Sequence, residues 1–378
     1  MKRIVIIGAG FAGQSAAHTL AWHSAELDIT LLDTRSHFDF LPLLPDVLSD
    51  RVSADAASTP LSALARGSRI RLIQDRVTGI DPAAMRITGE SGPYTYDYAL
   101  LACGTETNLY GRIDAGQHAY RFDSIADAAR LRAAVRSHRH SAYVVAGGGY
   151  TGIEVASHLR LMIPGKHIPV LIVEKGSSIA SALPEWMRQY ARANLERMHV
   201  QILENREVTS VEAAGCSLSD GRTIPGAAVV WVAGVKAPDF TRSLPCGKGT
   251  QGRLAVDPCL RLDEHLFAAG DCAWIAPAGQ PLRMSVQFAH AGGRNAAANI
   301  LQSLRGRPLH AFHPLDPGYV VPMANGRACG SVFGVSLRGR LPSVLHYMMC
   351  AFRSHGYSRR LLILRGLQSS RVTPEPEE

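Results

Sequence analysis

Six glycines in this chain fall into two copies of one spacing, and it is a spacing that can hold phosphate. The first copy is Gly8-Ala9-Gly10-Phe11-Ala12-Gly13 and the second is Gly147-Gly148-Gly149-Tyr150-Thr151-Gly152. Each follows an apolar run, and in each the next apolar run ends in an acid: Asp33 after Ile29 to Leu32, Glu174 after Val170 to Val173. Gly8 permits a tight turn, Gly10 lets the backbone approach a pyrophosphate, and Gly13 lets the following helix pack closely on its strand. The second copy repeats these roles. The helix N-terminus supplies free N–H groups and a positive dipole end for the phosphates, and the acid can accept hydrogen bonds from ribose hydroxyls. A single bare match reads also as a tight turn before a helix. Strand, helix and terminal acid in place twice point to two bound dinucleotides, and the useful reason to hold two is to pass electrons between them.

The elements that position these glycines can be followed along the chain. Ile4 to Ile7 fits a strand buried on both faces of a parallel sheet, and residues 4–33 read as β-α-β. A Leu- and Pro-rich stretch, Phe38 to Leu48, reads as a helix-poor loop. A further α/β stretch ends in a strand at Tyr98 to Ala102, and Cys103-Gly104-Thr105 then turns sharply, as where a chain leaves one domain for another. The second unit occupies about 122–240 and ends in a similar pattern, Val229 to Gly234. Leu266 to Cys272 is another strand, carrying Gly270-Asp271, and Ser285 to Leu304 reads as helical. This order predicts an α/β fold of two Rossmann-like dinucleotide-binding domains, the second inserted in the first. The expected boundaries are 1–121 and 254–318 for the first domain, 122–253 for the second, and 319–378 for a C-terminal helical, basic region.

Composition narrows the class. With 378 residues, 46% hydrophobic and 19% charged, the chain describes a globular protein with a large core. Met1-Lys2-Arg3 before an apolar run imitates a signal peptide, but the glycines interrupt that run early, so the segment reads as mature structure. No stretch reaches the roughly 18 apolar residues of a spanning helix. The seven cysteines (103, 216, 246, 259, 272, 329, 350) form no CxxC or CxxxxC pair, which argues against a structural zinc site and a sequence-local redox disulfide. Reduced thiols in a cytoplasmic setting are the expectation. The net charge of +8 is unevenly placed: 318–373 holds eight arginines and no acid. Because Leu341 to Phe352 and Leu361 to Leu364 are apolar runs among those arginines, an anionic membrane surface fits better than nucleic acid. The alternative is a helix pair capping the core with a solvated basic edge.

These residues resemble the two-dinucleotide-binding-domain flavoproteins, the broad family of glutathione reductase, ferredoxin reductases and type II NADH dehydrogenases, over nearly the whole chain. The resemblance implies that Gly8, Gly10, Gly13 and Asp33 hold FAD, with Gly104 and Thr105 at its site and Asp271 of Gly270-Asp271 on the ribityl chain. It implies that Gly147, Gly149, Gly152, Glu174 and Gly234 hold NAD(P)H. Phe40-Leu41-Pro42-Leu43-Leu44-Pro45, Val230 to Ala237 and the tail from Asn325-Gly326-Arg327 through Phe333-Gly334 narrow the likeness to type II NADH dehydrogenases. Gln287 stands at the first glutamine of that group's quinone-site motif, whereas Ala291 replaces the second and Val286 replaces a small alanine. Sulfide:quinone oxidoreductases carry a redox cysteine where this chain has Tyr150-Thr151, and disulfide reductases carry CxxxxC where residues 34–60 have no cysteine, so both thiol chemistries are disfavoured.

The implied reaction is hydride transfer from NADH to FAD, then two electrons to a quinone, without proton pumping, peripherally on the inner face of the cell membrane. Such cofactors carry the chemistry while the protein supplies alignment and electrostatics. By resemblance Glu154 sits near the nicotinamide side of the flavin; as a plain structural residue it would be a capping or first-turn glutamate. Glu174 favours NADH over NADPH by repelling a 2′-phosphate, although Lys175 beside it could reach one. Gln287 would hydrogen-bond the quinone and His290 would relay a proton, unless it is an ordinary helix histidine. Cys103 and Cys272 read as packing residues. Three other readings stay open: a soluble reductase of a ferredoxin or rubredoxin docking through the basic tail, a nucleotide-binding sensor with slow turnover, or a quinone reductase resembling apoptosis-inducing factor. A homodimer is also left open.

Overall fold

The computed structural model describes residues 1–23, 26–163 and 167–369. It divides into two compact units. The first comprises Met1–Phe38, Thr59–Glu106 and Val235–Asp316; the second comprises Asp39–Ser58, Thr107–Gly234 and the chain from Pro317 onward. Residues 370–378, the end of the expected C-terminal region, lie outside the described residues, including the last of the eight arginines.

The first unit is built on a parallel sheet in the order Leu266–Ala268, Tyr98–Leu101, Lys2–Ile7, Leu27–Asp33, Ile70–Gln74. Ile4, Ile6, Ile29, Leu100 and Phe267 are fully buried, as uninterrupted apolar strands covered on both faces should be. The helix Phe11–His23 leaves the first glycine turn and packs on Val286–Leu304. Gly293 makes that approach close, since a Cβ there would lie 2.1 Å from the Ala12 carbonyl oxygen.

The second unit repeats the plan. Its parallel sheet runs Val200–Leu203, Val170–Val173, Ala142–Ala146, Ala227–Trp231. In both sheets the strand before the glycines lies between the strand ending in the acid and the strand through which the chain exits. Both units also carry a three-stranded antiparallel sheet ahead of the exit strand, at Val77–Thr95 and at Val208–Pro225.

The end of the chain is part of the second unit. Strands Gly318–Pro322, Ala328–Val332 and Val335–Gly339 form an antiparallel sheet, followed by helices Arg340–Arg353 and Tyr357–Ser369. Asn325 in the first turn exchanges side-chain hydrogen bonds with Asn194 on the helix Glu185–Arg197. The Ala324 amide donates to Ser157 Oγ at 3.0 Å.

The stretch Phe38 to Leu48 corrects the sequence reading. Instead of a helix-poor loop it forms a 3-10 turn at Leu41–Leu43 and a short helix at Leu44–Leu48. Pro42 and Pro45, which read as breakers, sit in the first turn of each, where no backbone donor is required.

Candidate dinucleotide sites and a buried acid–base cluster

The two glycine turns have the same construction. Gly8 has φ +100° and packs on the exit segment, with a built Cβ 2.3 Å from the Ala102 carbonyl oxygen. Gly147 has φ +111° and packs in the same way on Val232 and Ala233. At Gly13 a Cβ would fall 1.8 Å from the Gly8 oxygen, and at Gly152 it would fall 2.0 Å from the Gly147 oxygen. No side chain fits at these four positions without moving backbone. Gly10 and Gly149 differ, since a Cβ at either meets nothing within 4 Å. Their faces are open to a ligand, as a pyrophosphate at a helix N-terminus requires.

The terminal acids are tied back to the turns they serve. Asp33 Oδ2 accepts the Ala9 amide at 2.7 Å, and Glu174 Oε2 accepts the Gly148 amide at 2.6 Å. The other oxygens accept the amides of Arg35 and Gly176 at 2.8 and 2.7 Å. Each carboxylate has about four acceptor sites, so ribose hydroxyls can still be bound by a group already held in place. Lys175 extends to Glu207 at 2.7 Å, which gives its ammonium a partner of its own.

The late turn of the first unit completes that side. Gly270 has φ +76° and its Cβ position lies 3.0 Å from the Ala12 methyl. Asp271 is half-buried, its carboxyl accepts no hydrogen bond among the described residues, and burial pushes its pKa up against the pull of Arg253. Arg253, absent from the sequence-derived candidates, holds this turn: its Nε donates to the Asp271 carbonyl at 2.9 Å and Nη2 to that of Ala273 at 2.6 Å. A buried arginine far along the sequence from any glycine motif gives no local signal. Open glycine faces, anchored acids and an Asp271 carboxyl free of protein hydrogen bonds among the described residues fit FAD on the first unit, and the repeated turn fits a nicotinamide dinucleotide on the second.

Gly104 takes φ +64° with open space beyond its Cα, and Thr105 beside it is half-buried. Gly234 takes φ +154°, and a Cβ there would meet the Tyr110 hydroxyl at 2.5 Å. Gln287 is half-buried in the first turn of the helix Val286–Leu304; His290 is exposed on it, and the His290 carbonyl accepts from Ser15 Oγ at 2.9 Å. All seven cysteines are free. Cys272 Sγ donates to the carbonyls of Leu101 and Ala269 at 3.4 Å, and a hydrogen bond to Cys272 together with burial holds the Cys103 thiol well above its usual range. That same contact with Cys103 lowers the Cys272 thiol.

Glu154 corrects one alternative. The helix begins at Tyr150, so Glu154 lies beyond the first turn and caps nothing. It sits instead beside a cluster that sequence reasoning missed. One turn on, His158 Nδ1 lies 2.7 Å from Ser49 Oγ and its Nε2 lies 3.9 Å from Asp46 Oδ1. The Tyr347 hydroxyl donates to that same Asp46 oxygen, and Arg51 Nε lies 3.9 Å from it. Arg51 Nη1 donates to the Ala324 carbonyl at 2.7 Å, but its Nε and Nη2 are buried without a hydrogen-bond partner. The side chains of Asp46, Arg51 and His158 are all under 5% exposed.

Burial dominates the electrostatics here. It pushes the Asp46 carboxyl up to about 6, against Arg51 and the Tyr347 hydrogen bond. Burial and the nearby Asp46 charge push Glu154 up to about 8. His158 is driven well below the usual histidine range by burial, Arg51 and His346, and burial takes His346 to about 4. Both histidines are therefore neutral at pH 7. The spacing of Glu154 and His158 on one helix, and a lone acid inside Leu43-Leu44-Pro45-Asp46-Val47-Leu48, were the available signals.

A stability prediction follows from Glu154. Its folded pKa is raised from 4.5 to about 8, so the stability it contributes is complete below about pH 4.5 and is lost as pH rises through 8. Glu154→Gln stays neutral throughout. Its melting temperature should match the parent near pH 4.5 and exceed it above pH 8, reflecting a stability gain on the order of 2 kcal/mol after discounting for partial exposure. Calorimetry across pH 4.5–9 checks this; a constant difference would show that Glu154 titrates normally.

Two parallel-sheet units, each with a glycine turn, a braced acid and an exit strand beneath the turn, define a two-dinucleotide oxidoreductase. The chain belongs to the pyridine nucleotide-disulphide oxidoreductase family, which matches residues 2–295, and it is a flavoprotein oxidoreductase that uses a pyridine nucleotide. It is 26% identical over 381 residues to the demethylphylloquinone reductase NdbB of Synechocystis, covering 96% of this chain and 94% of that protein. It is 26% identical over 408 residues to the type II NADH:quinone oxidoreductase NdhA of Mycobacterium tuberculosis, covering 96% and 85%. The structure of NDH2 from Plasmodium falciparum in complex with NADH superposes with a TM-score of 0.87 at 16% identity, covering 99% of both chains. These findings agree with the resemblance to type II NADH dehydrogenases.

Proposed function

We propose that the protein passes hydride from NADH to FAD and then two electrons to a quinone, without pumping protons, at an anionic membrane surface. The observation that carries the electron-transfer reading is the doubled turn with its braced acid, one for each dinucleotide. Full-length relatives named for NADH:quinone and demethylphylloquinone reduction support a quinone as acceptor. When bound, the flavin supplies the two-electron chemistry that links the two substrates.

The chain's own residues do the rest. The open amide faces at Gly10 and Gly149 take the pyrophosphates, with Gly8, Gly13, Gly147 and Gly152 holding the turns. Asp33 and Glu174 orient ribose hydroxyls, and Asp271 takes the ribityl chain beside Gly104, Thr105 and Gly270. Gly234 follows the exit strand Ala227–Trp231 and lies at the nicotinamide site. Because Lys175 is paired with Glu207, the carboxylate of Glu174 is left to disfavour a 2′-phosphate, which supports NADH over NADPH. Gln287 offers its amide to the quinone, His290 is a proton carrier on the same helix, and Glu154 holds a proton at its carboxyl near neutral pH.

The membrane reading rests on the helix Arg340–Arg353. Leu341, Val344, Met348 and Phe352 recur at helical spacing and are exposed, Phe352 by 75%, while Tyr347 and Cys350 on its other side are buried. Phe333 and Val335 in the preceding hairpin are exposed too, and Arg338, Arg340, Arg360 and Arg365 are exposed around them. Among the described residues no helix is long and apolar enough to cross a membrane, so this surface supports contact with an interface.

Stopped-flow reduction by NADH, then mixing with a water-soluble quinone, tests the reaction. NADH should bleach the flavin and quinone should restore it faster than air does. Failure to bleach overturns the dehydrogenase reading. Bleaching followed by reoxidation no faster than in air overturns the quinone and favours a carrier-protein acceptor.

A further inference from the structure

In the second unit the parallel strands Val170–Val173 and Val200–Leu203 end side by side, and the chain beyond both is rich in cations. The Arg206 amide donates to the Glu174 carbonyl at 3.0 Å, and the Asn205 amide to that of Gly176 at 2.9 Å, so the two loops are laced together. Each cation there has an acid of its own. Lys175 Nζ lies 2.7 Å from Glu207 Oε2. Arg206 Nε donates to Asp220 Oδ2 at 2.5 Å, and Arg222 Nε to the same oxygen at 2.8 Å. Arg192 pairs with Glu204. Glu174 differs: its oxygens accept the Gly148 and Gly176 amides, and among the described residues it forms no salt bridge. Asp33, its counterpart in the first unit, has Arg35 Nε at 3.3 Å.

We propose that Glu207 determines nucleotide selectivity by masking Lys175, a lysine that, once released, binds the 2′-phosphate of NADPH. The inference rests on the reading that the second unit takes NADH. As a stabilising contact the pair contributes little, because Lys175 is 81% and Glu207 41% exposed, and exposed ion pairs add little to stability. Its effect is on where the lysine points. An ammonium on a flexible stem turns to whichever anion holds it. In the first unit Arg35 turns back to the acid two residues before it. In the second unit Glu207 draws Lys175 away, and Glu174 keeps an uncompensated charge.

Glu207 is built to hold that charge. Its amide donates to Ser219 Oγ at 3.1 Å, and its carbonyl accepts the Ser219 amide at 2.9 Å. Its backbone is thereby fixed to the hairpin that carries Asp220, independently of the loop bearing Lys175. Lys175 follows directly on Glu174, so a released ammonium is a neighbour of whatever that carboxylate binds. Arg206 cannot take its place, since Asp220 and the Glu204 carbonyl hold its guanidinium. NADH presents a hydroxyl at the 2′ position and needs no cation. NADPH presents an anion, and a carboxylate without a cation beside it repels that anion.

The test titrates the holoprotein by calorimetry with adenosine 2′,5′-bisphosphate and adenosine 5′-monophosphate, and reduces it in stopped flow with NADPH and NADH. Glu207→Gln should tighten the bisphosphate, and raise the ratio of NADPH to NADH reduction rates, by about 5-fold. The monophosphate and NADH should stay within about 2-fold of wild type. Adding Lys175→Ala to Glu207→Gln should remove the gain, while Lys175→Ala alone should leave both selectivities where they were. An unchanged ratio in Glu207→Gln would overturn the proposal. So would a gain that survives in the double variant, since Glu207 would then act as bare negative charge. Loss of NADPH use in Lys175→Ala alone would overturn it too, because the lysine would already meet the phosphate. The parent reading fails separately, if the wild-type protein prefers NADPH.

Discussion

Gly13→Val is expected to yield protein without flavin absorbance and with NADH oxidation reduced at least about 100-fold. A Cβ at this position falls 1.8 Å from the Gly8 carbonyl oxygen, inside any allowed contact. The first helix must then move off its strand, and overpacking of this kind costs about 1–3 kcal/mol or more. Gly10→Ala separates folding from binding. Its methyl enters open space, so the flavin-stripped protein should melt where the parent does, yet a methyl occupying the pyrophosphate approach should weaken FAD by at least about 10-fold, equivalent to about 1.4 kcal/mol. Gly152→Val should act on the other unit alone, keeping flavin but losing its bleaching by NADH. Absorbance spectra and flavin titrations decide between these patterns. Flavin retained at normal affinity in Gly10→Ala would place the FAD pyrophosphate elsewhere.

The second large effect is expected at the exposed face of the helix Arg340–Arg353. Replacing Leu341, Met348 and Phe352 together by Asp should reduce binding to anionic phospholipid vesicles by roughly 100-fold or more. Burial of large apolar side chains at an interface is worth about 1.5–3 kcal/mol each when complete, and the new carboxylates add repulsion from the lipid charge. These side chains point away from the buried side of the helix, so reduction of a water-soluble quinone should be unaffected. Vesicle sedimentation with anionic and zwitterionic lipids checks both parts. Equal sedimentation of parent and variant would make the apolar stripe a contact for something other than lipid.

The same helix illustrates why part of this molecule was legible early and part was not. Its apolar run and its arginines can be read along one segment, so an amphipathic surface was expected. Its inner face could not be read in that way. Tyr347 reaches Asp46 across 301 positions of sequence, and nothing local to either residue announces the other. The segment Phe38 to Leu48 was misread for a related reason: Pro42 and Pro45 break a helix in its interior but not in its first turn, and only the folded chain shows which applies.

The doubled glycine spacing was determined by the sequence alone. The turn, the close helix and the open face are requirements on backbone a few residues apart, and they admit no side chain at Gly8 or Gly13. The acids Asp33 and Glu174 were equally visible, each closing the next strand of its β-α-β unit. Tertiary structure decided how those acids are braced, by amides of the turns they serve, and that Asp39–Ser58 joins the second unit. It also assembled Ser49, Asp46 and Tyr347 with His158, one helical turn from Glu154. Proton affinities there are set by burial and by charges from distant segments, quantities that exist only once the chain has folded.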